Sequence, residues 1–336
     1  MRRILVVNAG STSLKLSVVD ENDESRAIES LTEAGSVDAV AHRIVHGGAT
    51  FAEPVLLDDG VEAELRALTE LAPLHNGPAL AAIGDARRAL PDAPQIAVFD
   101  TAFHRTIPDE ASTYAVPASW REEWGIRRYG FHGLSVEWAA EQVRVPRLVV
   151  CHLGGGCSVT AVRDGSSIDT TMGFSPLEGV PMATRSGSID VEVVLHLLRT
   201  GKLDVEGIEQ ALESESGLLG LSGESSRVDA LERSGSPSSG LALRVFTYRV
   251  AAAVGAMAAA LGGLDGLVFT AGIGEGAAGV RRDVCARLGF LGVELDDAAN
   301  ETAAPDADVG TGRVRVAVVH AREDVVAARA ARGLLR

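Results

Sequence analysis

In residues 4–20, ILVVNAGSTSLKLSVVD, a run of β-branched residues meets a small polar turn and returns with alternating apolar residues. That order predicts a buried strand, a tight turn and a second strand. Residues 148–164, LVVCHLGGGCSVTAVRD, align with this stretch without a gap. Asn8 falls on His152, Gly10 on Gly154 and Asp20 on Asp164. Hairpins share turn chemistry, so some likeness arises by chance. The match extends to the polar residue before each turn, which favours an internal duplication. The chain is therefore expected to be α/β, with two related halves meeting near residue 147.

Working outward, apolar periodicity predicts helices over 61–71, 78–90 and 134–143 in the first half, with a strand at 95–99. The second half is expected to hold helices at 189–200, 204–214, 240–261 and 279–288, and strands at 266–270 and 313–319. A final helix is predicted over 323–334. The segment 233–240, RSGSPSSG, reads as a flexible loop by composition.

The 336 residues suffice for two packed domains, and 46% hydrophobic with 23% charged residues is ordinary globular composition. A net charge of −15 argues against a general nucleic-acid or anionic-membrane binder, because phosphate backbones call for a basic face. Any phosphate must be held by local groups and a metal. The three cysteines, Cys151, Cys157 and Cys285, form no CxxC pair, which fits a reducing cytosol. The opening MRRILVVNAG turns polar too soon for a signal peptide. The Ala- and Gly-rich stretch Val250 to Leu264 is shorter than a membrane span and reads as a buried helix.

Several segments carry chemistry. Turns such as NAGSTS and HLGGGCS can aim several backbone N–H groups at a phosphate, and Lys15 follows the first. A third glycine-rich element, Gly272-Ile273-Gly274-Glu275-Gly276, lies between a strand and a helix, a ready site for a nucleotide. Its spacing and late position do not match the dinucleotide-binding GxGxxG unit, and the chain has no GxxxxGK[ST] loop. Asp100 ends the strand QIAVF, where α/β folds place ligands. HRIVHGG (42–48), PLHNG (73–77) and RRYGFHG (127–133) set His, Arg and Asn among apolar neighbours. His42 and His46 are four apart, but no third zinc ligand stands near. The aperiodic run MGFSPLEGVPMATRSG (172–187) holds Arg185, whose planar fork suits a carboxylate or a phosphoryl group.

In order, NAGSTSLK, HRIVHGG, PLHN, VFDTAFH, YGFHG, HLGGGCS, MGFSPLEG with TRSG, and FTAGIGE fall within residues 6 to 276. Together they resemble the acetate kinase family, within the superfamily of actin, hexokinase and the heat-shock chaperones. The resemblance implies two ribonuclease-H-like (actin-like ATPase) domains around a cleft. The first covers 1–146, completed by the helix 323–336; the second, 147–322, binds nucleotide. It also implies a cytoplasmic homodimer that acts on acetate and acetyl phosphate with ATP/ADP and Mg²⁺, or Mn²⁺ in its place.

Residue roles follow from the same resemblance. Asp100, His132 and Arg185 would be catalytic. Arg43 would bind the substrate, and Val45, Leu74, Phe131 and Pro176 would line its methyl pocket. Lys15, the run His152, Leu153, Gly154, Gly155, Gly156, and the run Gly272 to Gly276 would bind ATP. Asn8 and Glu323 would stand on the metal side. The chain departs from the family in places. The usual SSDFR reads Ser225-Ser226-Arg227-Val228-Asp229, so Arg227, Val228 and Asp229 take the nucleotide-side positions. The closing TNEE reads Ala321-Arg322-Glu323-Asp324, and little chain lies between Asp20 and Val37. A propionate or butyrate kinase, or a nucleotide-binding regulator on the same fold, are the competing readings.

Overall fold

The computed structural model describes residues 2–9, 14–71 and 73–335, with side chains for all of these except 70, 71 and 73–76. The turn after Ala9 thus lies outside the described residues. Both expected hairpins form: β1 (Ile4–Ala9) pairs antiparallel with β2 (Leu14–Val19), and β7 (Arg147–Leu153) with β8 (Cys157–Arg163).

Each hairpin seeds a six-stranded sheet. In the first, β3 (Ser25–Ile28), β4 (Ala39–Ile44), β5 (Val55–Leu56) and β6 (Gln95–Phe99) join in the order β3-β2-β1-β4-β6-β5. In the second, β9 (Ser166–Thr170), β10 (Gly266–Thr270), β11 (Ala307–Asp308) and β12 (Arg315–Val318) give β11-β12-β10-β7-β8-β9. Read from opposite ends, the two orders are the same. β1/β4/β6 and β7/β10/β12 are parallel, while the hairpins and the short edge strands are antiparallel. The parallel strands are buried on both faces, which is why they read as continuous apolar runs.

One core unites the sheets. Helix Gly133–Gln142 and the final helix Glu323–Leu334 pack between them, with Leu134, Trp138, Val325 and Ala328 buried against Val6 and Val98 of the first sheet and Val150 and Val268 of the second. The outer face of the first sheet is covered by helix Pro73–Ala89, and that of the second by helix Pro237–Leu261. Helix Pro237–Leu261 is long and apolar enough to cross a membrane, but Phe246, Val250 and Val254 bury its inner face in the core of the second sheet.

The predicted helices at 134–143, 204–214, 240–261 and 323–334 sit within a few residues of the observed ones. The segment 233–240 is not a loop. Gly235 at φ +62° ends helix Val228–Ser234, Ser236 caps the next helix, and Pro237 begins it. These residues punctuate a helix–helix junction, as Gly past a helix end and Pro in a first turn do. Composition alone cannot tell that junction from a loop. Glu224 holds the junction by accepting hydrogen bonds from the hydroxyls of Ser234 (2.6 Å), Ser236, Ser238 (3.0 Å) and Ser239 (3.0 Å).

Candidate active site

The parallel register of the first sheet sets Asn8 beside Arg43 and Ile44 beside Phe99, so Asp100 leaves the sheet at the same edge. Its N–H donates to the Ile44 carbonyl at 2.9 Å. Arg43 links the group: Nη1 donates to Asn8 Oδ1 at 2.9 Å, and Nη2 donates to Asp100 Oδ2. Asn8 Nδ2 donates to Glu323 Oε2 at 3.2 Å, and Arg43 Nε lies 3.9 Å from that oxygen. Glu323 is the first residue of the final helix, which therefore delivers a carboxylate from the far end of the sequence. Lys15 stands opposite Asn8 on β2, with its side chain exposed.

The electrostatics of this knot are set by burial. Asp100 is fully buried, and its Oδ1 has no hydrogen-bond partner. Burial raises its carboxyl above the ordinary range even against the pull of Arg43. Burial pushes Glu323 up as well, but Arg43, His152, Lys15 and the Asn8 amide together bring it below its ordinary value.

A tight loop ties His132 to this edge. Gly133 N–H donates to the Asp100 carbonyl at 2.9 Å, and a Cβ at Gly133 would overlap that same oxygen. His132 itself adopts φ +60°, a left-handed conformation that aims its ring across to the second sheet. There it stacks on His152, with centroids 3.9 Å apart and planes 21° from parallel. His132 Nδ1 lies 2.9 Å from Ser158 Oγ, and His152 Nδ1 lies 2.8 Å from Ser135 Oγ. Burial holds both rings neutral: His132 falls well below the ordinary imidazole value and His152 falls to about 4.

The glycine turn after β7 meets these groups. A Cβ on Gly156 would stand 3.1 Å from His132 Nε2 and 3.4 Å from Arg185 Nη1. Arg185 is braced by Glu213 of helix Val205–Ser214, with Nε 2.9 Å from Oε2. His132, Arg185 and the 154–156 turn thus converge, and Gly133 fastens them to Asp100. Val45 and Phe131 are buried in one cluster with Met172 and Met182, and Pro176 is buried in the aperiodic segment. Arg128 holds that segment, donating through Nη1 to the carbonyls of Thr170 (2.8 Å), Thr171 (3.1 Å) and Met172 (3.1 Å). Leu74 lies in helix Pro73–Ala89, but its side chain is outside the described residues.

Next to the turn is a cavity of about 390 Å³ lined by Gly154, Gly155, Arg227, Val228, Asp229, Glu232, Gly272, Ile273, Gly276 and Ala277. Six of the expected nucleotide residues, Lys15 of the first sheet among them, do not line it. His152 faces Ser135 and His132, Leu153 is fully buried in the core, and Gly156 turns to His132 and Arg185. Gly274 is buried against the backbone of Phe269. The Glu275 carboxylate accepts from His320 Nδ1 at 2.7 Å and from Ala321 N–H at 3.0 Å, bracing the chain just before Glu323.

His42 and His46 do not pair on a metal. His42 Nε2 bonds Gln95 at 2.7 Å, and His46 packs edge-on to Tyr129 and Phe131. Three supporting residues escape the sequence reading. Ser135, Ser158 and Glu213 each act through a contact across many residues, and no local pattern marks them.

Comparison with known proteins gives the family. Residues 28–329 match the model of the acetokinase family. The chain is 43% identical over 322 residues to an acetate kinase of Nostoc punctiforme, covering 92% of this chain and 78% of that one. It is 44% identical over 330 residues to an acetate kinase of Gloeobacter violaceus, covering 91% and 81%. Among solved structures it superposes on a propionate kinase of Francisella tularensis with a TM-score of 0.91 at 32% identity, covering 98% and 99% of the two chains. On the acetate kinase of Porphyromonas gingivalis the TM-score is 0.87 at 31% identity, with complete coverage of both. With a mirrored pair of sheets, a charged knot at one strand edge and a glycine-lined cavity at the other, the chain belongs to the acetokinase family of phosphotransferases.

Proposed function

We propose that this chain is an acetate kinase, moving a phosphoryl group between ATP and acetate to give acetyl phosphate and ADP. The observation that carries the reading is the fixed Arg43 fork between Asn8 and Asp100, beside a neutral His132 and a braced Arg185. Two anions must be brought together, and a cationic pair set by partners does so without reorganisation.

Acetate is already ionised, so no general base is required. Arg43 holds the carboxylate, and Arg185 offsets charge on the transferring group. With Ser158 donating to Nδ1, the neutral His132 carries its proton on Nε2 and donates it as a hydrogen bond to an equatorial oxygen. The backbone N–H of Gly155 holds the nucleotide phosphates, that of Gly154 being taken by the Gly156 carbonyl at 3.0 Å. Val45, Phe131 and Pro176 close around the methyl group.

The metal-side residues fit Mg²⁺. Asp100 Oδ1 is a buried acceptor without a partner, and Glu323 and Asn8 add oxygen donors beside it. Mg²⁺ favours one or two carboxylates, completed by phosphate oxygens and water. When bound, the ion supplies charge neutralisation at the phosphates.

The reading extends to organisation. We place the domain boundary at residue 147, with the final helix returning to the first domain. A homodimer is supported by the exposed Val191, Leu195, Leu198 and Val205 on helices Val191–Arg199 and Val205–Ser214. A reducing, cytoplasmic setting is supported by three free, buried cysteines. The test is hydroxylamine trapping of acyl phosphate from ATP, Mg²⁺ and acetate. Trapped product supports the reading. Folded protein that yields none with acetate, propionate or butyrate sinks it.

A further inference from the structure

We propose that Tyr114 is a positioning residue that limits the length of acid the acyl pocket accepts, by stapling the loop that carries Pro176. The inference rests on the acetate reading above and names the group that sets its substrate range.

Within the aperiodic segment, the five residues from Phe174 to Glu178 form a closed loop with Pro176 at its centre. One hydroxyl holds both ends. Tyr114 Oη accepts from the Phe174 N–H at 2.9 Å and donates to Glu178 Oε2. Inside the loop, Ser175 Oγ accepts from the Leu177 N–H at 3.3 Å, across Pro176. The proline ring fixes its own φ, which leaves the loop little freedom between its two anchors. Gly173 makes the arrangement possible, since a Cβ there would overlap both the Tyr114 hydroxyl and the Glu178 carboxylate.

The staple is braced from the first half of the chain. Arg128 Nη2 donates to Glu178 Oε1 at 3.0 Å, while Nη1 holds the three carbonyls that precede the loop. The Gly173 carbonyl accepts from the N–H groups of Tyr129 and Gly130 at 3.0 and 3.4 Å. Phe131 is the next residue, so the chain leading to Phe131 and the chain leading to Pro176 are bonded to each other. Aromatic contacts fill the space between. Phe174 stands 6.2 Å from Tyr129, and His46, next to Val45, stands 4.6 Å from Tyr129 and 5.4 Å from Phe131, centroid to centroid. Burial, and then the Glu178 carboxylate, raise Tyr114 well above the usual phenol value, so the hydroxyl keeps its proton and remains a donor.

A loop anchored at one end swings aside; anchored at both, it does not yield. An acid longer than the pocket must overpack against Pro176 or break the staple. Among the described residues, the Tyr114 hydroxyl makes no hydrogen bond to Arg43, Asp100, His132 or Arg185. Its loss therefore acts on the fit of the acyl chain and leaves the charged groups in place. Without it, the methyl group loses a fitted wall and a propyl group gains room.

The test uses the full chain with Mg²⁺ and saturating ATP, and measures kcat and KM for acetate, propionate and butyrate in wild type, Tyr114→Phe and Glu178→Gln. Tyr114→Phe removes only the hydroxyl. It should raise the butyrate-to-acetate ratio of kcat/KM by about 10-fold, with the loss on acetate falling mainly on KM. Glu178→Gln keeps an acceptor for Tyr114 and should raise the ratio less. Hydrogen exchange across residues 174–178 should quicken in Tyr114→Phe. A ratio unmoved in Tyr114→Phe, or a kcat that falls equally for all three acids, would make Tyr114 a merely structural residue and overturn the proposal. Unchanged exchange would overturn it too. Proton NMR titrations of acetate and butyrate into the same proteins read the fit of the pocket without turnover. A protein that makes no acyl phosphate, yet binds butyrate better relative to acetate in Tyr114→Phe, would keep this inference and sink the acetate reading.

Discussion

At the carboxyl edges of β1, β4 and β6 the chain places Asn8, Arg43 and Asp100, side chains that carry charge and bind one another. At the matching edges of β7 and β10 it places His152 and Thr270, each followed by glycines that line a cavity with backbone. Strand order and direction are the same in both sheets. The scaffold therefore fixes where a site lies, and the few residues after each strand fix its chemistry. One half grips by ion pairing. The other makes room and offers N–H groups. The division suits the reaction, since a small carboxylate needs a strong local charge and a nucleotide needs a long, permissive surface.

Removing one arginine from each half gives the widest separation. Arg43→Ala leaves Asp100 buried without its cation, which typically costs roughly 3–5 kcal/mol of stability. It should also lower kcat/KM by about 10³-fold or more. Arg185→Ala should cost about 10²-fold in kcat. It should lower the melting temperature less than Arg43→Ala does, because the Glu213 side chain keeps 17% of its surface exposed where Asp100 keeps none. Thermal melts alongside the hydroxamate assay read both. Equal destabilisation by the two changes would break the contrast.

Acid should divide the halves next. Burial lowers His42, His46 and His104 to about 4, all in the first half, whereas His152 is the comparable ring of the second. Each is neutral when folded and takes up a proton on unfolding below about pH 6.5. The unfolded state then binds more protons, so stability is complete above pH 6.5 and declines as pH falls toward 4. The loss is roughly 3 kcal/mol per ring. All three tryptophans, Trp120, Trp124 and Trp138, lie in the first half, and although Trp138 also packs on the second sheet, their fluorescence weights the first half. At pH 5 the urea midpoint seen by tryptophan fluorescence should fall below that seen by circular dichroism. Coincident midpoints would mean that the halves unfold as one unit.

The smallest effect concerns chain length of the acid. In a pocket closed by Val45, Phe131 and Pro176, each added CH₂ offers about 0.8 kcal/mol if it fits, and overpacking costs roughly 1–3 kcal/mol if it does not. The expected order in kcat/KM is acetate ≥ propionate ≫ butyrate. Val45→Ala should raise butyrate relative to acetate by about 10-fold and leave nucleotide preference alone. A series over the three acids decides it, and an unchanged ranking in Val45→Ala would move the pocket elsewhere.

The paired hairpins and the strand-end Asp100 were legible because both rest on local pattern: buried parallel strands are apolar throughout, and a polar residue at their end is conspicuous. Arg43 and Asn8 were legible through the family resemblance, although the ion pair that fixes them was not. Glu213 on Arg185, Ser158 on His132 and Ser135 on His152 each join residues 17 or more apart in the chain. Such pairings come from tertiary packing, and serine or glutamate on a helix or strand gives no local sign of its partner. Glu275 shows the converse. It belongs to a glycine-rich run with an obvious nucleotide reading, yet its carboxylate braces residues 320 and 321. The segment 233–240 misled for a related reason, since Ser, Gly and Pro mark loops and helix junctions alike.

Glu323 reaches Asn8 across 315 residues, on a helix wedged between the two sheets. During synthesis, every strand of both sheets leaves the ribosome before that carboxylate does. The glycine-lined cavity can therefore close early, but the corner of Asn8, Arg43 and Glu323 waits for that helix to dock. A nascent chain with a formed cavity and an unfinished corner can hold nucleotide without the means to transfer its phosphate. With the role proposed for Glu323, its late position makes catalytic competence a signal that both sheets have already formed.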